Sequence, residues 1–474
     1  MLTPLRAMRL SIAALGALIA TATVAPVFAA DPATPTERGR YLALAGDCAA
    51  CHSAPGGKPM AGGLAISTPI GAIVSSNITP SKTHGIGTYT FEQFSDALRK
   101  GVRADGARLY PAMPYTAYAK VSDGDVKALY AYFMSEVAAV DTAPPATDLP
   151  FPFDIRLSMA AWNLLFLDDK PFVPDAARSL QWNRGAYLVQ GLAHCGTCHT
   201  PRNLLMAEKS TQALAGADIA PWQAPNITSD AMSGVGGWSA QELTDYFQHG
   251  AAKGKAQAAG PMAEAIDASL SHLTDADRQA IATYLLTAPA RRDPNDTRAS
   301  YAWGEPGGDV DSVRGMPWPA DRDQLTGPQL YDAHCATCHG ASGQGSFEGG
   351  LPSLFHNSAL GRMDTSNLVM VMLDGVHRGA DAGGVRMPAF ANQLSDTQLA
   401  TLGNWLLQHY GRPQAVVSVA QVARSRTTAT SASLVWMARA GLGAVVLLVL
   451  LVLLVMIAIA VGARHLRRRR QAAT

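Results

Sequence analysis

The 474-residue chain is 48% hydrophobic and 16% charged, with 38 basic against 37 acidic side chains and a formal net charge of +1. That balance excludes a nucleic-acid partner held by a global basic field, and the apolar content excludes a disordered tail protein. At roughly 100–200 residues per domain, the length predicts two to four domains.

In chain order, the first feature is a secretory signal. Arg6 and Arg9 precede an apolar stretch from Leu10 to Val24, and Val27-Phe28-Ala29 supplies the small residues of a cleavage site. A retained membrane anchor is the competing reading, disfavoured by Pro26 and by the short apolar run. There is no twin-arginine pair, which predicts folding after export.

All six cysteines fall into one motif used three times: Cys48-Ala49-Ala50-Cys51-His52, Cys195-Gly196-Thr197-Cys198-His199 and Cys335-Ala336-Thr337-Cys338-His339. C-x-x-C-H is the attachment signature of a c-type haem. Two thiols three positions apart each form a thioether to one vinyl group of the porphyrin, and the adjacent histidine becomes the proximal iron ligand. A redox disulfide or a four-cysteine zinc site also uses CxxC. Neither explains a histidine after every pair, so three covalently bound haem c groups are expected. No cysteine remains for a disulfide, which leaves the haems as covalent staples.

The motifs stand 147 and 140 residues apart, which predicts three units of similar plan. Each unit closes with a helix whose N-cap is Ser122, Thr274 or Ser395, with Asp125, Asp277 or Gln398 three residues on. An aromatic follows every cap by ten residues (Tyr132, Tyr284, Trp405) and is expected to pack on the helix carrying the cysteines. Ahead of each cap a methionine sits in a proline- or glycine-rich loop: Met113, Met262 and Met387, at 65, 67 and 52 residues from the first cysteine of its motif. A thioether there is positioned to be the sixth ligand, and Met/His ligation raises the potential. With 16 methionines in the chain, core filling is the rival role, and Met60, Met134, Met206, Met232, Met363, Met370 and Met372 are rival ligands. His84, His249, His272, His356, His377 and His409 share no register, while His194 and His334 directly precede a motif where the first unit has Asp47. These histidines are expected at the surface or in locally satisfied roles.

The first two units also share Asn77-Ile78-Thr79 with Asn226-Ile227-Thr228, and Gly85-Ile86-Gly87 with Gly234-Val235-Gly236. We read this as a turn closing over the haem edge, absent from the third unit. Linkers are signalled by four prolines between Asp141 and Pro152, by a Pro-, Gly- and Asp-rich stretch from Ala288 to Gln324, and by a polar tether from Arg412 to Ser433. Ile155 to Leu167 is apolar, too short to span a bilayer and expected to pack on a domain. Finally, Ala440 to Ala463 runs 24 residues without a charge and is followed by Arg464 and Arg467 to Arg470. That predicts a transmembrane helix with its tail in the cytoplasm and the body outside.

Three irons with both axial positions filled leave no open site for oxidase, peroxidase or nitrite chemistry. They point to electron transfer, with no catalytic residues of the chain's own. No phosphate loop, dinucleotide fingerprint or Ser/His/Asp set is visible.

Longer strings carry a family resemblance. Tyr110-Pro111-Ala112-Met113-Pro114-Tyr115, Trp182-Asn183-Arg184-Gly185-Ala186-Tyr187-Leu188, His199-Thr200-Pro201-Arg202-Asn203 and Pro225-Asn226-Ile227-Thr228 are much more specific than CxxCH. Through them nearly the whole mature chain resembles the three-haem cytochrome c subunit of bacterial membrane-bound dehydrogenases for alcohol, gluconate, sorbitol and aldehyde oxidation. The resemblance implies electrons accepted from a catalytic subunit of flavin, quinoprotein or molybdenum type and passed to membrane ubiquinone. It also implies a place on the periplasmic side of the bacterial inner membrane. A stand-alone carrier to a terminal oxidase is the rival class, and a multihaem enzyme with one open iron is a third. The expected fold is all-α: three tandem class I-like cytochrome c domains plus one C-terminal transmembrane helix. The expected divisions are a signal peptide 1–29, units at 30–141, 175–290 and 323–412, linkers 142–174 and 291–322, a tether 413–433, a membrane helix 434–463 and a tail 464–474.

Overall fold

The computed structural model describes residues 34–346, 351–379, 384–427 and 432–471. The expected signal peptide, 1–29, lies outside the described residues. Helices dominate, and one set recurs three times: a leading helix, a short helix at the cysteines, a middle helix and a long closing helix. The leading helices are Pro35–Ala45, Leu180–Tyr187 and Gly327–His334; the closing helices are Asp123–Ser135, Asp275–Leu285 and Asp396–Tyr410.

Ser122, Thr274 and Ser395 cap the closing helices as expected, each side chain accepting the backbone N–H three residues on. Only Ser395 completes a capping box, with Gln398. In the other two units the corresponding Asp125 and Asp277 turn away to make side-chain contacts described below.

Leading and closing helices cross at a glycine. A Cβ on Gly39 would lie 2.0 Å from the Ala128 carbonyl oxygen and 2.6 Å from Tyr132 Cβ; on Gly185, 1.9 Å from the Ala280 oxygen and 2.9 Å from Tyr284 Cβ; on Gly327, 2.3 Å from Trp405 Cβ. The aromatics at cap-plus-ten therefore pack on the leading helix at its glycine. This corrects the expected partner, because the cysteines sit on a separate short helix after it. In the second unit the leading helix runs on into a five-residue π-helix, Leu188–Leu192. This turn absorbs one extra residue and explains why Gly185 stands ten residues before its motif and Gly39 nine.

The all-α expectation needs correction, since four two-stranded antiparallel ladders are present among the described residues. Ala65–Thr68 pairs with Gly71–Val74, Ala65 opposite Val74, and Ala217–Ile219 pairs with Trp222–Ala224. Both hairpins turn through two residues, Pro69-Ile70 and Ala220-Pro221, and their strands hold Ile66, Thr68, Ile73 and Val74 in the first and Ile219 and Trp222 in the second, side chains that favour the pleat. The other two ladders, Ala251–Ala252 with Ala256–Gln257 and Val376–His377 with Arg386–Met387, hold two residues per strand.

The buried side chains form two cores. One is shared by the first and second units, running from Leu42, Val126 and Leu129 through Leu188 and Leu192 to Ile266 and Ile281. The other belongs to the third unit and is built on Leu330, Tyr331, Val369, Leu399 and Tyr410.

The stretches expected as spacers are folded onto these bodies. Helix Ser158–Phe166 docks through Asn163, which accepts from Tyr115 Oη at 2.8 Å and donates to the Lys100 carbonyl, while Leu164 and Leu165 stay exposed. The tether folds back on the third unit as far as residue 427: Asn404 brackets the Val417 backbone, helix Val419–Ser425 follows, and Arg426 pairs with Asp396 at 2.6 Å. Beyond it, helix Ala432–Gln471 contains the one helix among the described residues long and apolar enough to cross a membrane, Leu434–His465.

Candidate haem sites

The three motif helices are Cys48–His52, Cys195–His199 and Ala336–His339. In all three the histidine ring makes the same contact: Nδ1 meets a backbone carbonyl, Ser76 at 2.7 Å from His52, Pro225 at 2.6 Å from His199, and Pro352 at 3.0 Å from His339. A carbonyl only accepts, so Nδ1 carries the proton and Nε2 keeps its lone pair. Burial pushes each imidazole below its ordinary range, which favours the neutral ring that a metal needs.

No disulfide joins the six cysteines, of which Cys335 is buried and Cys338 exposed. No cluster of three or more metal-ligating His, Cys, Asp or Glu side chains occurs among the described residues. A zinc site does not fit. Thioether attachment does.

In the second unit an open cleft is lined by Cys195, Cys198, His199 and Met262 together, with Trp222, Asn226, Ile227, Val235, Trp238 and Phe247 around them. Its mainly apolar lining with a few polar groups suits a macrocycle with apolar faces and a polar rim. Elsewhere, Met113 and Cys48 both pack against the shared core, and Met387 packs on the third core that contains Cys335. Met60, a rival ligand, sits on the histidine side of its unit: its carbonyl accepts from Ile78, and Gly62 two residues on donates to the His52 carbonyl.

A register that sequence reading missed unites the three methionines. Each middle helix (Phe91–Lys100, Ala240–His249, Ser366–Asp374) stops at a glycine with positive φ: Gly101 at 63°, Gly250 at 67° and Gly375 at 75°. The methionine follows that glycine by twelve residues in every unit. The unequal counts from the caps hid this regularity. Gly-terminated helix ends were the available signal.

The Asn-Ile-Thr turns do something other than simply cover a haem edge. Asn77 Oδ1 accepts from the Thr79 N–H and hydroxyl at 2.9 and 2.7 Å, and Asn226 repeats both bonds with Thr228 at the same distances. The residue before each asparagine is Ser76 or Pro225, whose carbonyl holds the histidine. The turn therefore fixes that acceptor.

The remaining histidines keep local roles where the structure shows a contact: His272 and His409 bond backbone carbonyls, and His334 meets Phe390 edge-on. His194 is more than a local residue. It occupies a left-handed backbone position (φ 35°), as Asp47 does (φ 52°), meets Tyr118 of the first unit edge-on, and lines the cleft together with Asp47. Asp47 Oδ1 is buried without a hydrogen bond, and burial, reinforced by Glu264, raises its carboxyl to about 7.

Comparison with known proteins places the chain. It is 48% identical to the fructose dehydrogenase cytochrome subunit of Gluconobacter japonicus, over 85% of each chain. It is 41% identical to the gluconate 2-dehydrogenase cytochrome c subunit of Pantoea cypripedii (83% of this chain, 90% of the relative). The chain belongs to the dehydrogenase cytochrome c subunits. The alcohol dehydrogenase (quinone) cytochrome c subunit of Gluconobacter oxydans matches at 35% (84% and 83%). The family model described as cytochrome c oxidase, cbb3-type, subunit III, matches residues 322–406, which include Cys335, Cys338, His339 and Met387. As a cytochrome subunit the chain carries covalently bound haem c and serves electron transfer. Substrate chemistry belongs to another subunit.

Proposed function

We propose that the chain is a triheme wire between the catalytic subunit of a membrane-bound dehydrogenase and the quinone pool. Haem c is held by Cys48, Cys51 and His52, by Cys195, Cys198 and His199, and by Cys335, Cys338 and His339, with Met113, Met262 and Met387 as sixth ligands. The carrying observation is the threefold recurrence of a CxxCH histidine whose Nδ1 is tied to a carbonyl, leaving Nε2 for iron. The twelve-residue glycine-to-methionine register supports the axial methionines.

Three tandem cytochrome c units, bounded near 30–141, 175–290 and 323–412, lie outside the cytoplasmic membrane, with the helix beginning at Leu434 as anchor. The arginines from Arg464 to Arg470 favour a cytoplasmic tail, hence a periplasmic body. Each bound haem supplies reversible one-electron chemistry. The protein's part is to hold the iron in a six-coordinate state, exclude water from its faces and set its potential. The electron donor is a flavin, quinoprotein or molybdenum subunit, and ubiquinone is the acceptor.

The test is capture from detergent-solubilised membranes by a tag after Thr474, with dehydrogenase activity assayed on the same fraction. A stoichiometric partner bearing an organic or molybdenum cofactor is expected. A cytochrome recovered alone, or with an oxidase, would overturn the subunit reading. Replacing Met113, Met262 and Met387 singly with leucine is expected to make one haem high-spin in each case. A variant with an unchanged spectrum would remove that methionine from the ligand set.

A further inference from the structure

The cleft of the second unit is not closed by that unit alone. The third unit supplies Ser358, Ala359, Arg362, Asn367 and Val371 to its wall. The loop bearing Arg362 is pinned on both sides. The Ser358 N–H donates to the Lys255 carbonyl at 2.8 Å. Asn367 brackets the Gln223 backbone, accepting at 2.9 Å and donating at 2.9 Å. Gly361 lies so close to Ser300 that a Cβ would stand 1.7 Å from its carbonyl oxygen. Arg378, further along, donates to the carbonyls of His249 and Gly250 and to Gln257. Arg362 is therefore held at the mouth of a haem site in a different unit.

Its guanidinium has no hydrogen-bonded or ion-paired partner among the described residues. The nearby carboxylates are already committed: Asp296 to Arg412 at 3.0 Å, and Asp364 to the Ser366 N–H at 2.8 Å. The remaining electrostatic neighbour is Tyr246, a phenol pushed up to about 12 by burial and so neutral. Burying a cation without an anion is unfavourable, and burial works against the Arg362 charge. A haem brings two carboxylates into such a cleft.

We propose that Arg362 pairs with a propionate of the haem attached at Cys195 and Cys198, so that docking of the third unit sets the potential of the second haem. The proposal rests on the ligand set given under Proposed function. Its direction follows from charge. The ferric haem carries one more positive charge than the ferrous haem, and a bare propionate favours the ferric state. A guanidinium offsets that propionate and raises the potential. Arg362 is a positioning and tuning residue; it does not touch the iron.

The experiment is a spectroelectrochemical titration of the detergent-solubilised full chain, comparing wild type, Arg362→Gln, Arg362→Lys and Met262→Leu. The component that responds to Met262→Leu identifies the second haem. In Arg362→Gln that component alone is expected to move toward the ferric form by about tenfold at a fixed potential, about 59 mV for a one-electron couple. Arg362→Lys should recover most of the shift. A merely structural role for Arg362 predicts equal disturbance by both substitutions, or movement of all components, and either result overturns the proposal. If a component answers to Met262→Leu but none to Arg362→Gln, the pairing alone is wrong. If none answers to Met262→Leu, the ligand assignment falls and the pairing falls with it. Should Arg362→Gln fail to accumulate, Arg362→Met carries the test, with a shift of the same component toward the ferric form expected and no shift overturning the proposal.

Discussion

The first and second units mirror each other across their contact, whereas the third is attached by a different logic. Arg38 pairs with Asp125 at 2.6 Å and Arg184 with Asp277 at 2.7 Å, each within its own unit. Tyr41 of the first unit then donates to Asp277 at 2.6 Å, and Tyr187 of the second donates to Asp125 at 2.5 Å. Each tyrosine oxygen also accepts the N–H of the opposite cap, Thr274 or Ser122, at 3.2 Å. The arrangement is reciprocal, as across a two-fold axis, and one hydrophobic core runs beneath it. The third unit has its own core and docks through Asn367, Arg378 and the Gly379 N–H onto backbone, amide and carboxylate groups, with Trp222 of the second unit packed against its core. A shared core makes the first two units one folding body; a mainly polar seam leaves the third separable.

The largest effect expected from that difference comes from removing a haem anchor. Cys195→Ala/Cys198→Ala should cost the second haem and, through the common core, destabilise the first unit too. The expected total is about 5 kcal/mol, beyond an ordinary substitution. Cys335→Ala/Cys338→Ala should remove one haem and leave unfolding of the pair unchanged. Haem content and denaturant midpoints, read together, check this; equal damage from both would show a single cooperative body.

Next come the crossing glycines. Gly185→Val drives its side chain into the Ala280 carbonyl and should cost about 3 kcal/mol, lowering the unfolding midpoint for the first and second haems together. Gly327→Val, against Trp405, should lower only that of the third.

These glycines show how much was legible. The CxxCH motifs, the caps and the apolar C-terminal span are local signals, and residue types declare them. The glycines at 39, 185 and 327 stand at unequal distances from their motifs, because a π-turn and loop lengths intervene. Only packing reveals their shared role. Asp125 and Asp277 read as capping residues because a cap is a three-residue pattern; a tyrosine from another unit, 62 or 236 positions away, leaves no such trace. Arg362 was silent for the same reason, since its partner cleft belongs to residues far off in sequence. The hairpins were missed because three- and four-residue strands carry too little alternation to stand out beside helices.

Asp277 of the reciprocal seam titrates with folding, whereas Arg378 donates to neutral acceptors. Burial alone would raise the Asp277 carboxyl, but the bidentate Arg184 contact and the Tyr41 hydroxyl outweigh it and hold the group below its ordinary value. A depressed carboxylate contributes stability that is fully present above the unfolded pKa, about 3.9, and is lost as pH falls through the folded value. Acidification below about pH 4 should therefore loosen the pair first, while Arg378 keeps its neutral acceptors. Asp277→Asn should abolish this acid dependence and cost about 2–3 kcal/mol at neutral pH, since Arg184 loses its anion. Urea titrations at two pH values measure both effects.

The smallest effect is expected where the pair and the third unit solve one problem in different ways. Each proximal histidine needs a fixed carbonyl opposite Nδ1. In the third unit Pro352 supplies it thirteen residues after the ring, on a short loop. In the pair the carbonyl comes 24 and 26 residues later, at the end of a hairpin, and a side chain must hold it. Asn77 and Asn226 do this from both ends. Oδ1 closes the turn on the threonine, and Nδ2 reaches across to the chain leaving the closing helix, at Val140 or Arg291. Asn226→Ala breaks the turn without touching cysteine, histidine or methionine. It should cost about 1 kcal/mol and let the Pro225 carbonyl drift, which weakens its bond to His199. A weaker acceptor makes the imidazole a poorer donor to iron. The ferric state loses more from that than the ferrous, so the potential of the second haem should rise slightly, opposite in sign to Arg362→Gln. Asn226→Asp keeps Oδ1 as an acceptor for Thr228 and loses only the bond to Arg291. The Asp variant should therefore sit nearer wild type in potential than the Ala variant. Equal potentials in the two variants would mean that the turn stabilises the fold without steering the histidine.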